Sequence, residues 1–357
     1  MSVPPKQPGR RGLILGALRC LWAGFLAIGI WGAGAADAVS GFRTELLAVP
    51  TNGHPGFVRL PSTTTGIAFT NRLSEERSLT NTIVNNGSGV ALGDVDGDGR
   101  CDIYLCSLEG GNALYRNLGG WRFEDVTKGA GVGCEGQLST GALLVDLDGD
   151  GDLDLLVTSI GGGARLFVND GHGRFIERTD AGLVRRYAGT SMAVADIDGN
   201  GTLDLYVANY RTSTILDEPN TRFTLSTVNG RLVVTKLNGQ PVTDPELAGR
   251  FVVGSNGSAR EVGEPDILYR NDGTGHFQRV PFTDGTFLDE QGRPSEQPLD
   301  WGLSVMMRDL NGDGAPDIYV CNDSDSPDRI WINDGGGRFR ALPVFNLRHT
   351  SLSSMGV

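Results

Sequence analysis

An aspartate-rich loop of nine residues occurs four times in this chain and constrains the fold more than any other feature. The copies read DVDGDGRCD from Asp94, DLDGDGDLD from Asp146, DIDGNGTLD from Asp196 and DLNGDGAPD from Asp309. Their first residues lie 52, 50 and 113 positions apart. Self-similarity at such a period indicates a repeat architecture, in which one supersecondary unit is copied along the chain.

A second motif follows each loop and shows that the long third interval contains an insertion. It consists of an apolar residue, an aromatic residue, an asparagine, a glycine-rich turn and a closing phenylalanine, at 114–123, 166–175, 268–277 and 330–339. The closing phenylalanine follows the first loop aspartate by 29, 29, 81 and 30 positions. The third unit therefore carries 52 additional residues, and we refer to residues 210–265 as the insertion.

Each unit predicts four short antiparallel strands. One strand leads into the loop, the second leaves it, the third carries the aromatic residue and the fourth follows the phenylalanine. The short apolar runs, glycine turns and β-branched residues favour strands over helices. Such a sheet cannot bury both faces alone, so the copies must stack on one another. Radial stacking of four-stranded sheets gives an all-β fold, the β-propeller, with a linear solenoid as the alternative.

The stacked arrangement assigns a packing role to one set of aromatic residues and predicts incomplete blades at both ends. Equivalent positions of the second motif hold Tyr115, Phe167, Tyr269 and Trp331, which we expect to pack between blades. Residues 56–67 resemble the fourth strand at 123–132, with no loop before them, and residues 354–357 match 191–194, which precede a loop. We therefore expect a propeller truncated to about four blades plus partial ends, spanning residues 56–357.

The loops have the composition of calcium sites. Ca²⁺ takes about 6–8 oxygen ligands at about 2.3–2.6 Å. Side chains at loop positions 1, 3, 5 and 9 can converge on one ion, and a backbone carbonyl is expected to serve at position 7, where the four side chains share no chemistry. The predicted ligand sets are Asp94, Asp96, Asp98, Arg100 and Asp102; Asp146, Asp148, Asp150, Asp152 and Asp154; Asp196, Asp198, Asn200, Thr202 and Asp204; and Asp309, Asn311, Asp313, Ala315 and Asp317.

The charge of the loops supports this prediction. Together they contain fifteen acidic residues, more than the net charge of −12 for the whole chain. So many carboxylates in such short segments repel one another unless a cation neutralises them. Simple polar turns are the alternative interpretation, which four copies in register disfavour. An EF-hand shares the opening of the motif but needs a glutamate at position 12 and flanking helices, whereas a strand follows here. We therefore expect about four structural Ca²⁺ ions.

The repeats resemble a known family. The segments GDVDGDGRCDIYL, ADIDGNGTLDLYV and RDLNGDGAPDIYV look like the FG-GAP or VCBS-type repeats of integrin α-chain propellers. More specifically, the chain is similar to bacterial secreted proteins related to cartilage acidic protein, whose longer members end in an ASPIC/UnbV-type domain. This resemblance implies a seven-bladed propeller with calcium in hairpin loops on one face. The insertion departs from the family pattern, as does the lack of a literal Phe-Gly-Gly-Ala-Pro string.

The N-terminal segment predicts export. Arg10 and Arg11 precede an apolar run that ends in small residues, the pattern of a signal peptide at 1–38 followed by a linker at 39–55. An uncleaved membrane anchor is the alternative, because the run is long enough to span a bilayer. The expected location is secreted, periplasmic or cell-surface. Five cysteines, one within the signal, do not make a disulfide framework, and we expect Cys101 and Cys106 to be small core residues.

Taken together, these features predict a binding scaffold and not an enzyme. The expected role is recognition or adhesion with a protein or glycan ligand. The alternative is the non-catalytic propeller domain of a secreted enzyme that acts on polysaccharide or lipid. The acidic charge argues against nucleic acid, and apart from an N-terminal anchor nothing points to a membrane. Hydrolase, zinc-protease and P-loop motifs are absent from the sequence.

We expect a specific binding site where the repeat is broken. The two candidates are the insertion, with a hairpin turning at Asn238-Gly239, and the unrepeated Trp301. A tolerated surface loop is the alternative interpretation of the insertion, and core packing is the alternative role of Trp301.

Overall fold

The computed structural model describes residues 56–323, 326–343, 346, 354 and 356. The predicted signal peptide and linker lie outside the described residues, as do residues 355 and 357 of the segment 354–357. The chain divides into two compact units, Met1–Val58 and Arg59–Val357, and the elements below all belong to the second. Among the described residues, none of the helices has both the length and the apolar composition needed to cross a bilayer.

Short helices precede the first blade. They are α1 (Ser62–Thr65), α2 (Glu75–Thr80) and a 3₁₀ helix at Thr82–Asn86. The sequence explains where α2 begins, because the Ser74 side chain accepts a hydrogen bond from the Arg77 amide and acidic residues occupy the first turn. Both features offset the unpaired amides and partial positive charge of a helix N-terminus.

The first two blades are four-stranded antiparallel sheets in which neighbours in sequence are neighbours in space. Blade 1 contains β1 (Val90–Gly93), β2 (Asp102–Leu105), β3 (Ala113–Gly119) and β4 (Arg122–Asp125). A short helix α3 (Thr127–Ala130) follows it. Blade 2 contains β5 (Leu138–Val145), β6 (Asp154–Ile160), β7 (Gly163–Asn169) and β8 (Phe175–Glu177).

The insertion divides blade 3 in sequence but not in space. The blade begins with β9 (Gly189–Ala195) and β10 (Asp204–Asn209). The insertion contains a 3₁₀ helix at Ile215–Asp217 and two small sheets. The first sheet consists of β11 (Phe223–Val228), β12 (Arg231–Leu237) and β13 (Gln240–Pro241). The second consists of β14 (Phe251–Val253) and β15 (Ala259–Glu261). The blade is completed by β16 (Ile267–Asn271) and β17 (Phe277–Val280), with β16 paired directly to β10. The hairpin predicted at Asn238-Gly239 is confirmed as the turn between β12 and β13.

Blade 4 has an additional strand. A 3₁₀ helix at Phe282–Asp284 leads to β18 (Phe287–Leu288), which pairs in parallel with the last strand of the blade. The blade itself consists of β19 (Gly302–Arg308), β20 (Asp317–Asn322), β21 (Arg329–Asn333) and β22 (Phe339–Ala341). The prediction of an all-β chain built from four-stranded antiparallel, propeller-type blades is therefore confirmed.

The hydrophobic cores lie between consecutive blades. Three clusters each combine residues of two neighbouring blades: Tyr104 with Leu155 and Phe167, Leu156 with Leu205 and Tyr269, and Tyr206 with Ile318 and Trp331. The packing role predicted for the aromatic residue of the third strand is thereby confirmed for these three blades. In blade 1 the equivalent Tyr115 is also buried, and its hydroxyl accepts a hydrogen bond from the Ala68 amide at 3.3 Å.

A glycine after the outer strands of blades 1 and 2 allows the next blade to approach closely. Gly182 follows blade 2 with φ of +79°, and a Cβ atom there would collide with the carbonyl oxygen of Phe277 in blade 3. Gly131 has the same relation to Phe175 in blade 2. Only glycine combines this backbone conformation with so short an approach.

The start of the repeat region repeats this turn without the predicted strand. Gly66 also has φ of +79°, and a Cβ atom there would collide with the carbonyl oxygen of Phe123 in blade 1. However, residues 62–65 form α1 and no strand is assigned within 56–67, so the prediction of a fourth strand there was wrong. The resemblance to 123–132 arises because α1 and Gly66 correspond to α3 and Gly131, which follow the outer strand.

A polar clamp fixes the start of the third strand in three blades. In blade 3 the buried Asp266 accepts hydrogen bonds from the Tyr206 hydroxyl at 3.0 Å and from the Asn209 amide at 2.7 Å. Asp328 makes the same two contacts in blade 4, with Tyr319 and Asn322. In blade 1 the clamp uses an asparagine, Asn112, between Tyr104 and the Ser107 amide. The tyrosine that follows the first, third and fourth loops is therefore a structural residue, a role that the sequence alone does not show; Leu156 stands at this position after the second loop.

The cysteines are free in the described part of the chain. Cys106 is buried as predicted, whereas Cys101 is exposed, so its assignment to the core was wrong. It precedes β2 at the end of the first aspartate-rich loop, where the chain is still on the surface.

We expect Gly182→Ala to destabilise the protein more than Gly249→Ala. Both glycines have positive φ, but nothing lies within 4 Å of a Cβ at Gly249. The free energy of unfolding of the Gly249 variant should therefore fall only by the cost of holding alanine in a left-handed conformation, about 1 kcal/mol. The Gly182 variant should lose about 2–4 kcal/mol because it must also move the neighbouring blade. Urea unfolding monitored by circular dichroism measures both, and equal losses would contradict close blade contact at Gly182.

We expect Asp266→Asn to change the pH dependence of stability. Burial, the main cause, raises the pKa of Asp266 to about 7, so the folded state holds a proton that the unfolded chain releases near pH 4. Wild-type stability from this group is therefore present below pH 4 and is lost as pH rises through 7. The asparagine variant, which copies the clamp of blade 1, should gain about 2–4 kcal/mol relative to wild type between pH 4 and pH 7.5. Urea unfolding at several pH values tests this prediction. A difference in the free energy of unfolding between variant and wild type that does not change with pH would contradict it.

Candidate metal-binding loops

The four aspartate-rich loops occupy equivalent places in the blades. Each connects the first strand to the second, so all four lie at the same end of the strands. The glycines at loop positions 4 and 6 have φ between +71° and +94° in every copy. These left-handed conformations return the chain within nine residues, which brings the ends of each loop together.

Loop positions 1, 3 and 9 form acidic groups in three of the four copies. Within each group, one carboxylate oxygen per residue lies within 4.8 Å of the others. The groups are Asp94, Asp96 and Asp102; Asp146, Asp148 and Asp154; and Asp196, Asp198 and Asp204. In the fourth loop, Asn311 stands at position 3 between Asp309 and Asp317. These are oxygen-only donor sets of the kind that suits a hard cation.

Position 1 organises the loop backbone. Asp146 accepts hydrogen bonds from the amides of Gly149 at 2.8 Å and Gly151 at 3.0 Å. Asp309 makes the corresponding contacts with Gly312 and Gly314, and these amides lower its pKa. The position-1 carboxylate is thus held in place by the turn that the glycines make.

Position 3 provides the clearest test of whether a cation fits the loops. One oxygen of Asp148 and one of Asp198, both Oδ1, are buried and have no hydrogen-bond partner in the described part of the chain. A buried carboxylate oxygen without a partner is costly. Both atoms belong to acidic groups whose other members are also carboxylates. A cation at this point would satisfy the unpaired oxygens and offset the repulsion, so the residues fit such an ion.

Position 9 is buried in every copy and links the loop to the blade. Asp154 accepts hydrogen bonds from the amides of Leu147 in the loop at 3.1 Å and of Asn169 in the third strand at 3.0 Å. The same pair of contacts occurs at Asp102, Asp204 and Asp317. Burial raises the pKa of Asp154 and of Asp204 to about 6, because the low-dielectric surroundings disfavour the charged form.

Positions 5 and 7 stay predictions as ligands. At position 5 the side-chain Oδ1 accepts a hydrogen bond from the amide of position 7 in all four loops, at 2.8–2.9 Å. The residues joined are Asp98 and Arg100, Asp150 and Asp152, Asn200 and Thr202, and Asp313 and Ala315. The carbonyl of position 7 is not engaged by this contact. In the first loop the Arg100 side chain also pairs with Asp98 and donates to the Asn117 carbonyl at 2.9 Å.

The position-2 side chain faces the core, with one exception. Val95, Leu147 and Ile197 are at most 3% exposed. Leu310, at the same position of the fourth loop, is 41% exposed. The first three side chains are covered by the blade that follows, whereas no described residue covers Leu310 in that way.

An asparagine of the third strand ties each loop to the preceding one. Asn271 Nδ2 donates to the Leu203 carbonyl of its own loop at 3.2 Å and to the Leu147 carbonyl of the preceding loop at 2.7 Å. Asn169 and Asn333 make the same pair of contacts. Asn117 of blade 1 donates to the Cys101 carbonyl of its own loop. The second motif contains this asparagine in all four copies, but the motif alone does not show what its side chain binds.

Comparison with known proteins agrees with this geometry. A family model for FG-GAP-like repeats matches residues 94–157, 146–207 and 309–357. The chain is 32% identical over 82 residues to cartilage acidic protein 1 of Xenopus tropicalis, a segment that covers 23% of this chain and 13% of that protein. It is 32% identical over 89 residues to the Mus musculus protein, covering 25% of this chain and 14% of that protein. The resemblance drawn from the loops is therefore confirmed, and the matched segments span only a small part of these relatives.

One solved structure describes specific recognition of non-reducing terminal N-acetylglucosamine by an Agrocybe aegerita lectin. It aligns with 70% of this chain and 77% of that chain, at 19% identity and a TM-score of 0.22. At that TM-score the likeness carries no conclusion about what this chain binds.

We expect Asn271→Ala to cost more stability than Asn117→Ala. Both substitutions remove a hydrogen bond to the residue before the second strand, but only Asn271 also binds the preceding loop. Leaving that buried carbonyl unpaired should make the Asn271 variant less stable than the Asn117 variant by about 1–3 kcal/mol. Denaturant unfolding of the two variants gives the difference. Equal losses would show that the contact between loops contributes nothing.

Proposed function

This chain carries FG-GAP-like repeats, and we propose on that premise that it is an exported, calcium-stabilised scaffold that recognises a protein or a glycan. The observation that carries the calcium part of the proposal is the pair of buried, unpartnered carboxylate oxygens at Asp148 and Asp198. Each lies in a group of three carboxylates within 4.8 Å. Two successive loops thus present the same unpaired carboxylate oxygen.

Calcium fits these donors better than other common metals. The groups offer only carboxylate oxygens, which suit hard cations and not the nitrogen- and sulfur-preferring transition metals. Calcium accepts irregular arrangements of oxygen ligands, whereas magnesium demands a near-ideal octahedron and keeps several waters. The loops supply carboxylate oxygens from several positions of one short segment, which favours calcium with its larger number of oxygen ligands.

The expected energy is large enough to matter. Extracellular calcium modules bind with dissociation constants of about 10⁻⁴–10⁻³ M. At about 1 mM calcium and the tighter limit, each site adds about 1.4 kcal/mol, so four sites add about 5–6 kcal/mol. That is comparable to the whole stability of an ordinary domain, about 5–15 kcal/mol. Calcium therefore acts on the fold and not on a reaction.

Export and a binding role follow from the same features. The arginine pair and apolar run at the N-terminus support export to the periplasm, the cell surface or the medium. The loop carboxylates recur with one spacing and are bonded to their own loop backbone and to the neighbouring strand, which supports a structural use for them and not catalysis. The ligand would then be bound elsewhere on the blades.

We expect calcium to raise the melting temperature of the protein by many degrees relative to a chelator. Differential scanning calorimetry in 2 mM calcium chloride and in EDTA measures this, and isothermal titration calorimetry should give about four sites. Magnesium at the same concentration should stabilise less. Identical melting curves in calcium and EDTA would refute the proposal.

A pair of variants assigns the ion to the loops. Asp148→Asn removes a carboxylate from the second loop and should lower the calcium stoichiometry by one. Asp180→Asn removes an exposed carboxylate outside the loops, whose side chain is 85% exposed, and should leave the stoichiometry unchanged. An unchanged calcium stoichiometry in the Asp148→Asn variant would place the calcium outside the second loop.

A further inference from the structure

A cavity of about 390 Å³ lies at the end of the blades opposite the metal-binding loops. Its lining includes Asn86, which precedes β1, Trp301, which precedes β19, and Tyr210, which follows β10. The loops, by contrast, follow the first strands. Leu216 and Arg260 of the insertion complete the lining with residues before β21. A volume of this size is within the usual range for small-molecule sites, about 300–1,000 Å³.

The insertion wall of the cavity is held by buried charges. Glu261 lies with its side chain 4% exposed and pairs with Arg250 at 2.5 Å and Arg211 at 3.4 Å. It also accepts hydrogen bonds from the Thr214 hydroxyl at 2.8 Å and the Ile215 amide at 3.1 Å. Because a buried network of this kind is costly to break, the wall is preorganised. The interpretation of the insertion as merely a tolerated surface loop does not account for these contacts.

An aromatic pair forms part of the cavity lining. The rings of Tyr210 and Trp301 meet edge to face with centroids 4.8 Å apart. The Tyr210 hydroxyl donates to Asp323 at 2.8 Å, and its carbonyl accepts from the Glu264 amide at 2.8 Å. Trp301 is 9% exposed, so most of the ring is packed while it still borders the cavity. Both predicted roles of Trp301, packing and a place at a binding site, are compatible with this position.

The acidic groups of the lining already have cationic partners. Glu261 is paired with two arginines, and Asp300 is paired with Arg329. A charged ligand would have to compete with these ion pairs. The exposed lining residues Thr82 and Asn86, by contrast, offer a hydroxyl and an amide. The cavity therefore suits a ligand that is neutral, has an apolar face and carries hydroxyl groups around its rim.

We propose that this cavity binds a neutral saccharide of one or two residues, with one sugar face against the Trp301 and Tyr210 pair and hydroxyl groups at Asn86 and Thr82. A pyranose ring presents C–H groups on one face, which are attracted to the negative face of an aromatic ring. Its hydroxyl groups replace the water that such amide and hydroxyl side chains would otherwise bind. The inference rests on the proposed recognition function and names its ligand class.

Titration of the full chain in 2 mM calcium chloride tests the assignment. The probes are cellobiose, maltose, lactose and N,N′-diacetylchitobiose, with glucuronic acid and glucosamine as charged sugars and a capped Phe-Leu dipeptide as the peptide probe. Isothermal titration calorimetry should show at least one neutral disaccharide binding with a Kd of about 1 mM or tighter. Charged sugars and the dipeptide should bind at least tenfold more weakly.

Exposed residues provide variants that should fold normally. Asn86→Ala should raise the Kd about tenfold through loss of one hydrogen bond, whereas the neighbouring Asn85→Ala should have no effect, because Asn85 does not line the cavity. Leu216→Ala should weaken binding, and Leu79→Ala, an exposed leucine outside the cavity, should not. Trp301→Ala should abolish binding. If that variant fails to fold, Trp301→Phe should fold and bind more weakly than wild type.

The outcomes separate the cavity from the calcium proposal. Binding of a neutral disaccharide that Asn86→Ala weakens and Asn85→Ala does not supports the saccharide site. Binding of none of the four disaccharides, preference for the dipeptide or a charged sugar, or equal effects of Asn86→Ala and Asn85→Ala would overturn it. Saccharide binding with identical melting curves in calcium and EDTA would remove only the calcium proposal. Calcium stabilisation without saccharide binding would remove only the saccharide site.

Discussion

The hydrogen bonds between the buried aspartate at loop position 9, the asparagine of the third strand and the preceding loop hold the blades in register. Asp204 accepts from the Asn271 amide within blade 3, and the Asn271 side chain donates to the Leu147 carbonyl of blade 2. Asn271 therefore takes part both in the hydrogen bonding within blade 3 and in the contact with blade 2. Because the contact recurs from blade to blade, a shift of one sheet against the next would break a buried hydrogen bond as well as the hydrophobic core.

This arrangement also explains why acidic residues are concentrated at one end of the strands. The position-9 carboxylate is used by the fold, and its burial brings the carboxylates of positions 1 and 3 close to it. In the first and third loops an arginine of the third strand approaches position 3, with Arg116 3.9 Å from Asp96 and Arg270 3.7 Å from Asp198. A single partly exposed arginine at such a distance offsets little of the charge. The geometry that secures the blades therefore creates the electrostatic need for a cation.

Much of this architecture could be predicted from the sequence because it is repeated. The position of every strand in the four blades follows from the two motifs, and the glycine conformations follow from the tight loop.

What could not be predicted depends on contacts between distant segments. The side chain of Asn271 reaches a carbonyl 124 positions away, and Tyr206 meets Asp266 across the insertion. The error at 56–67 has a local cause, because the sequence of a glycine turn that follows a strand resembles the sequence of the strand itself. Trp301 and the insertion were both predicted as places where a ligand binds, but only the folded chain shows that they border one cavity together with Asn86 and Tyr210.

The direct pairing of β10 with β16 has a consequence for how such a protein can diversify. Leu205 still lies opposite Tyr269 although the insertion separates them in sequence. The pairing of the two strands therefore does not depend on the length of the segment that connects them. The chain entropy that is lost when a connection is closed grows only with the logarithm of its length. Residues can therefore be added between β10 and β16 while the strands of blade 3 keep their pairing. Natural variation can then alter what the insertion contacts without changing the propeller-type core.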